Sequence, residues 1–145
     1  MSRSVKILLA DNQPLIAAGL HHFLSSREDA DIVGQVEKPD LLKEMLQKHR
    51  PDLLIADYNL PNFINKGHLQ AVKEISPETH VLILSSDDNK SNILDILQLG
   101  VKGYVTKECS REEVLMAIQS TAKGEKFFCH KILDIIMEKH FSPEP

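Results

Sequence analysis

Residues 51–61 read Pro-Asp-Leu-Leu-Ile-Ala-Asp-Tyr-Asn-Leu-Pro, and this stretch decides the fold. Leu53–Ala56 is apolar at every position. A strand with one wet face alternates apolar and polar side chains. A continuous apolar run instead suits a strand covered on both faces, as in a parallel sheet. The run stops on a carboxylate, Asp57, and Tyr58-Asn59-Leu60-Pro61 continues as loop. An acid at the end of a buried strand is a candidate for chemistry.

Outward from this stretch, strand-length runs recur at Val5–Ala10, Asp31–Val36, Val81–Leu84 and Gly103–Thr106. Segments of helical period separate them. Pro14 suits a first helical turn, and Ile16, Leu20, Phe23 and Leu24 then share a face. Leu42, Met45, Leu46 and His49 form a second stripe before Pro51. Leu69, Val72 and Ile75 form a third, stopped by Ser76-Pro77. Ile93, Ile96 and Leu97 form a fourth, ended by Gly100. Ser110 with Glu113 is a capping box that opens a fifth helix through Val114, Leu115 and Ile118. A sixth helix is predicted from about His130 to His140, with Ile132, Ile135 and Ile136 inward. Strict strand–helix alternation predicts an α/β fold, a doubly wound five-stranded parallel sheet with an extra C-terminal helix.

Composition narrows the class. A chain of 145 residues suits one compact α/β domain, here assigned to 1–126, with the C-terminal helix and the start of a linker at 127–145. The net charge is −4 and Lys/Arg residues do not cluster, a poor basis for gripping nucleic acid unaided. No apolar run approaches the roughly 20 residues of a membrane span. The run Val5–Ala10 is too short for a secretory signal core, so a cytoplasmic location is expected. Cys109 and Cys129 lack metal-ligand spacing and read as structural thiols. The histidines form no HExxH pattern.

Ligands of doubly wound sheets sit beyond the carboxyl ends of the strands. There the sequence has Asp11 and Asn12 after the first strand, Asp57 after the third, Ser85 and Ser86 after the fourth, and Lys107 after the fifth. Asp11 and Asp57 supply hard oxygens suited to Mg²⁺. A carboxylate can act as nucleophile and form an aspartyl phosphate. Lys107 can neutralise phosphoryl oxygens, and Ser85 can donate to one. Singly, each residue has a plainer reading: Asp11 as a helix cap, Ser85 as turn chemistry, Lys107 as a solvated charge. At the ends of four strands in this order, they form a set suited to phosphoryl transfer.

The segments KILLADNQPLIAAGL, PDLLIADYNLP, VLILSSDD, LQLGVKGYVTKE and EEVLMAIQSTAKGEKFF resemble the receiver domain of two-component response regulators, most of all the LuxR/NarL-type subfamily. The resemblance covers about residues 5–123. It implies a flavodoxin-like sheet of order 2-1-3-4-5, with Asp57 as phosphoacceptor, assisted by Lys107 and Ser85. It implies a Mg²⁺ site from Asp11, Asn12, Asp57 and the Asn59 backbone carbonyl, and a switch built on Ser85 and Tyr104. The implied partners are a sensor histidine kinase, a second copy of the chain on phosphorylation, and DNA through a helix-turn-helix domain absent from this sequence.

Three departures stand out. Asn12 replaces the second acid of most relatives, which predicts weaker Mg²⁺ binding. The loop through Asn62-Phe63-Ile64-Asn65-Lys66-Gly67 is about two residues longer than usual for the family. Glu108 stands where many receivers have proline, leaving the isomer of the Lys107–Glu108 bond open.

Other functions compete. Asn12 keeps alive a phosphorylation-independent dimerisation receiver. A small phosphohydrolase with an aspartate nucleophile would want an acid at position 59, where Asn59 stands. An FMN carrier would want a Ser/Thr/Gly-rich loop after the first strand, where Asp11-Asn12-Gln13-Pro14 stands. A conventional enzyme is not expected.

Overall fold

The computed structural model describes residues 4–141. Of the linker start expected at 141–145, Phe141 belongs to the last helix and 142–145 lie outside the described residues. The chain runs β1 (Val5–Ala10), α1 (Pro14–Leu24), β2 (Ala30–Val36), a short 3-10 turn at Pro39–Leu41, α2 (Leu42–His49) and β3 (Leu53–Ala56). It continues through α3 (Lys66–Ile75), β4 (His80–Ser85), α4 (Lys90–Leu97), β5 (Gly103–Thr106), α5 (Arg111–Ala122), β6 (Phe127–Phe128) and α6 (His130–Phe141).

The sheet has the order β2-β1-β3-β4-β5-β6, and each neighbouring pair is parallel. The five expected strands form in the expected order. β6 is an addition: two residues, too short to carry a period, added beside β5 through Gly103↔Phe127 and Tyr104↔Phe128. Helix α6 then packs against α4, tied by Lys90 Nζ to Glu138 at 2.9 Å. Of its expected inward residues, Ile132 and Ile135 are buried and Ile136 packs on the core half-buried.

The core explains the order. All four positions of β3 are buried, so helices cover the sheet on both faces. α1 and α5 lie side by side, with the Arg111 guanidinium 5.9 Å from the centre of the Phe23 ring. The capping box of α5 forms: Glu113 N donates to Ser110 Oγ, and Ser110 N donates to Glu113 Oε1. Gly103 is forced by packing, since a Cβ there would sit 2.7 Å from Phe127 O and 2.8 Å from Leu82 Cδ1.

The loop after β3 is folded into the domain. Asn62 takes a left-handed turn (φ 53°), and Phe63 and Ile64 then dive into the core, Ile64 with no exposed surface. Asn65 caps α3 by accepting from Gly67 N and His68 N. No described peptide bond is cis, so Lys107–Glu108 is trans.

Both cysteines are free thiols, Cys129 buried and Cys109 half-buried. Burial raises the Cys109 pKa, which disfavours its thiolate.

Candidate functional site

Parallel strands end on one rim, so residues just past β1, β3 and β5 are brought within bonding range. Asp57 N donates to Ala10 O, and Lys107 N donates to Ser85 O, so the ladders run one step beyond the strands and fix these backbones. Lys107 Nζ lies 2.6 Å from Asp57 Oδ2 and 3.0 Å from Asp11 Oδ2. The three side chains are 8%, 2% and 2% exposed, so water screens these charges little.

Each carboxylate is also held by its own loop. Asp11 Oδ1 accepts from Gln13 N and Asp57 Oδ1 from Asn59 N, both at 2.8 Å. Asp11 is therefore an Asx turn ahead of α1 rather than its cap, which is Gln13. Asp11 Oδ2 is buried and accepts no hydrogen bond, facing Lys107 only as an ion pair.

The remaining candidates sit differently. Ser85 is fully buried, and its hydroxyl accepts from Asp87 N at 3.1 Å. Tyr104 is fully buried and turned inward, where β6 makes its strand an interior one. Asn12 and Asn59 are exposed side chains beside the two acids.

Three further residues belong to this rim. Gln13 Oε1 accepts from Lys107 Nζ, so the amide helps hold the ammonium in place. Tyr58 OH donates to Asp87 Oδ2 at 2.6 Å and lies 2.7 Å from the Tyr104 hydroxyl. The clue in the sequence was adjacency: Tyr58 follows Asp57, and Asp87 is two residues past Ser85. Both tyrosine pKa values are raised, first by burial, so both phenols stay neutral.

The donor set fits a hard cation. Among the described residues no three His, Cys, Asp or Glu side chains cluster, so an ion would take two carboxylates and fill its shell with carbonyl and water. That is Mg²⁺ chemistry, and Asp11 Oδ2, which accepts no hydrogen bond and faces Lys107 only as an ion pair, is an oxygen that could turn to such an ion.

The response regulator receiver domain family matches residues 7–119, most of the chain. The chain belongs to the response-regulator receiver family. This receiver is 30% identical over 131 residues to the oxygen regulatory protein NreC of Staphylococcus haemolyticus, covering 88% of this chain and 59% of that one. It is 28% identical over 120 residues to the probable transcriptional regulatory protein NarL of Mycobacterium tuberculosis, covering 83% and 56%. The receiver thus spans less than two thirds of the length of these relatives. Among solved structures, it superposes on the receiver domain of that NarL with TM-score 0.77 at 27% identity, covering 86% of this chain and all of the other. It superposes on the isolated receiver domain of RcsB from Salmonella enterica serovar Typhimurium with TM-score 0.84 at 22% identity, covering 92% and 99%. Among the described residues no helix is long and apolar enough to cross a membrane.

Proposed function

We propose that this receiver accepts a phosphoryl group on Asp57 and serves as the regulatory part of a DNA-binding transcription regulator. The observation that carries the reading is the buried Lys107 ammonium bridging Asp57 and Asp11 at the rim of the sheet. An Asp57 oxygen attacks the phosphorus of a phosphohistidine on a sensor kinase; an O–P bond forms and the P–N bond breaks, leaving the kinase imidazole. Lys107 moves from pairing carboxylates to pairing a phosphoryl oxygen, its position kept by Gln13. Asp11, Asn12, Asp57 and the Asn59 carbonyl would hold Mg²⁺, with Asn12 as the neutral member of the set. That ion, when bound, offsets the charge gathering on the transferred oxygens.

Ser85 then turns its hydroxyl to the attached group, and the two-position element that answers is the loop around Ser85 rather than the Tyr104 ring, which is buried beside it. The output is pairing with a second copy and, through a C-terminal domain of the kind its longer relatives have room for, DNA binding in the cytoplasm. The names of NreC and NarL support a regulatory role. The receiver turns over no separate substrate and hydrolyses only its own phosphoryl group. Intact-mass spectrometry after treatment with acetyl phosphate and Mg²⁺ tests this. One phosphoryl adduct is expected, and an adduct that persists in Asp57→Asn would overturn the assignment.

A further inference from the structure

Tyr58 and Tyr104 are the only tyrosines of the chain, and their hydroxyls meet at 2.7 Å. Tyr58 has one hydroxyl proton, and it is committed to Asp87 Oδ2 at 2.6 Å. Its oxygen can therefore only accept from Tyr104. The bonds run one way, from Tyr104, which also has a side-chain hydrogen bond with Ser85, to Tyr58, then from Tyr58 to the Asp87 carboxylate. Asp87 is itself 5% exposed, and its other oxygen accepts from Asn89 N at 3.1 Å. The rings stand edge to face at 6.2 Å and 77°, a favourable aromatic geometry.

We propose that Tyr58 and Asp87 are positioning residues that hold Tyr104 inward before any phosphoryl group is attached. The proposal rests on the acceptor reading above and deepens it. Swinging Tyr104 out would strip half-buried Tyr58 of a donor in a network whose other members, Tyr104 and Asp87, are buried. The same network ties two loops. Tyr58 is on the loop that carries Asp57, while Asp87 is on the loop that carries Ser85, whose hydroxyl accepts from Asp87 N. A ligand shifts a two-state equilibrium only by its differential affinity for the states, so a ring already inward responds little to phosphorylation. In this receiver the inward state belongs to the resting protein, and loss of the relay makes it depend on the phosphoryl group.

The test is tyrosine ring NMR on wild type, Tyr58→Phe and Asp87→Ala, with a soluble paramagnetic agent reporting ring exposure. Spectra are taken before and after adding Mg²⁺ with beryllofluoride, and thermal melting confirms folding. Tyr58→Phe leaves Tyr104 as the sole tyrosine, which assigns its signal. The Tyr104 ring of wild type is expected to stay protected in both conditions. In both variants it is expected to broaden several-fold more without beryllofluoride and to regain protection with it. A Tyr104 signal in the folded variants as protected as wild type without beryllofluoride overturns the proposal, as does an exposed ring in resting wild type. Exposure in the variants that beryllofluoride does not reverse leaves the clamp standing and counts against Asp57 as acceptor. If Tyr58→Phe fails to fold, Asp87→Ala decides the question alone.

Discussion

Replacing Lys107 by Met keeps the apolar stem and removes the ammonium. Two carboxylates whose side chains are 2% exposed then face each other without a counter-charge. Breaking a buried ion pair by deleting one partner costs about 3–5 kcal/mol, because the other charge stays desolvated. The bridge serves two acids at 2.6 and 3.0 Å, which places the expected loss within that range rather than below it. For a chain of this size the loss corresponds to a melting point lower by roughly 10–15 °C. Urea and thermal unfolding in EDTA measure it. Mg²⁺ should then stabilise Lys107→Met more than wild type, since the cation no longer competes with the ammonium for Asp11 and Asp57. At a hundredfold excess over its dissociation constant, the ion contributes about 2.7 kcal/mol. Adding Asp11→Asn to Lys107→Met should recover part of the loss by removing one of the two like charges. A loss below about 1 kcal/mol, the scale of an exposed pair, would refute the reasoning. So would equal Mg²⁺ stabilisation of both proteins.

Asn12→Asp adds a carboxylate beside the site and should raise Mg²⁺ affinity on the order of tenfold, about 1.4 kcal/mol; calorimetric titration giving equal affinities would exclude this. Ile64→Ala should cost about 2–5 kcal/mol in urea unfolding, because this loop side chain is wholly buried. Gly103→Ala should cost about 1–3 kcal/mol, because a Cβ there meets Phe127 O and Thr121 Cγ2 at 2.7 Å; an unchanged melting curve would show that β6 is not packed as described. Folding raises both tyrosine pKa values above the ordinary 10.0, chiefly by burial. The sign follows: the neutral phenols' contribution to stability is complete below the unfolded value and is lost as pH rises above it. Absorbance at tyrosinate wavelengths should therefore stay flat through pH 10–11 in the folded protein and rise only on unfolding.

The sequence by itself determined the alternation of elements and the rim. Apolar continuity in β3 required a doubly covered strand, and the capping box of α5 was legible because it depends on residues three apart. Asp11, Asp57 and Lys107 could be assembled in advance because a parallel sheet sends every strand end to the same side. Their contact distances follow from that geometry. What only the tertiary structure decided depends on partners distant in the chain. The hydroxyl of Tyr58 finds Asp87 and Tyr104 across 29 and 46 residues, separations that carry no local period. Phe63 and Ile64 read as loop but fill the core, because a single left-handed turn at Asn62 redirects them. β6 is two residues long and exists because β5 offered it an open edge. Local chemistry thus determined the ends of the strands, and long-range packing decided what grips them.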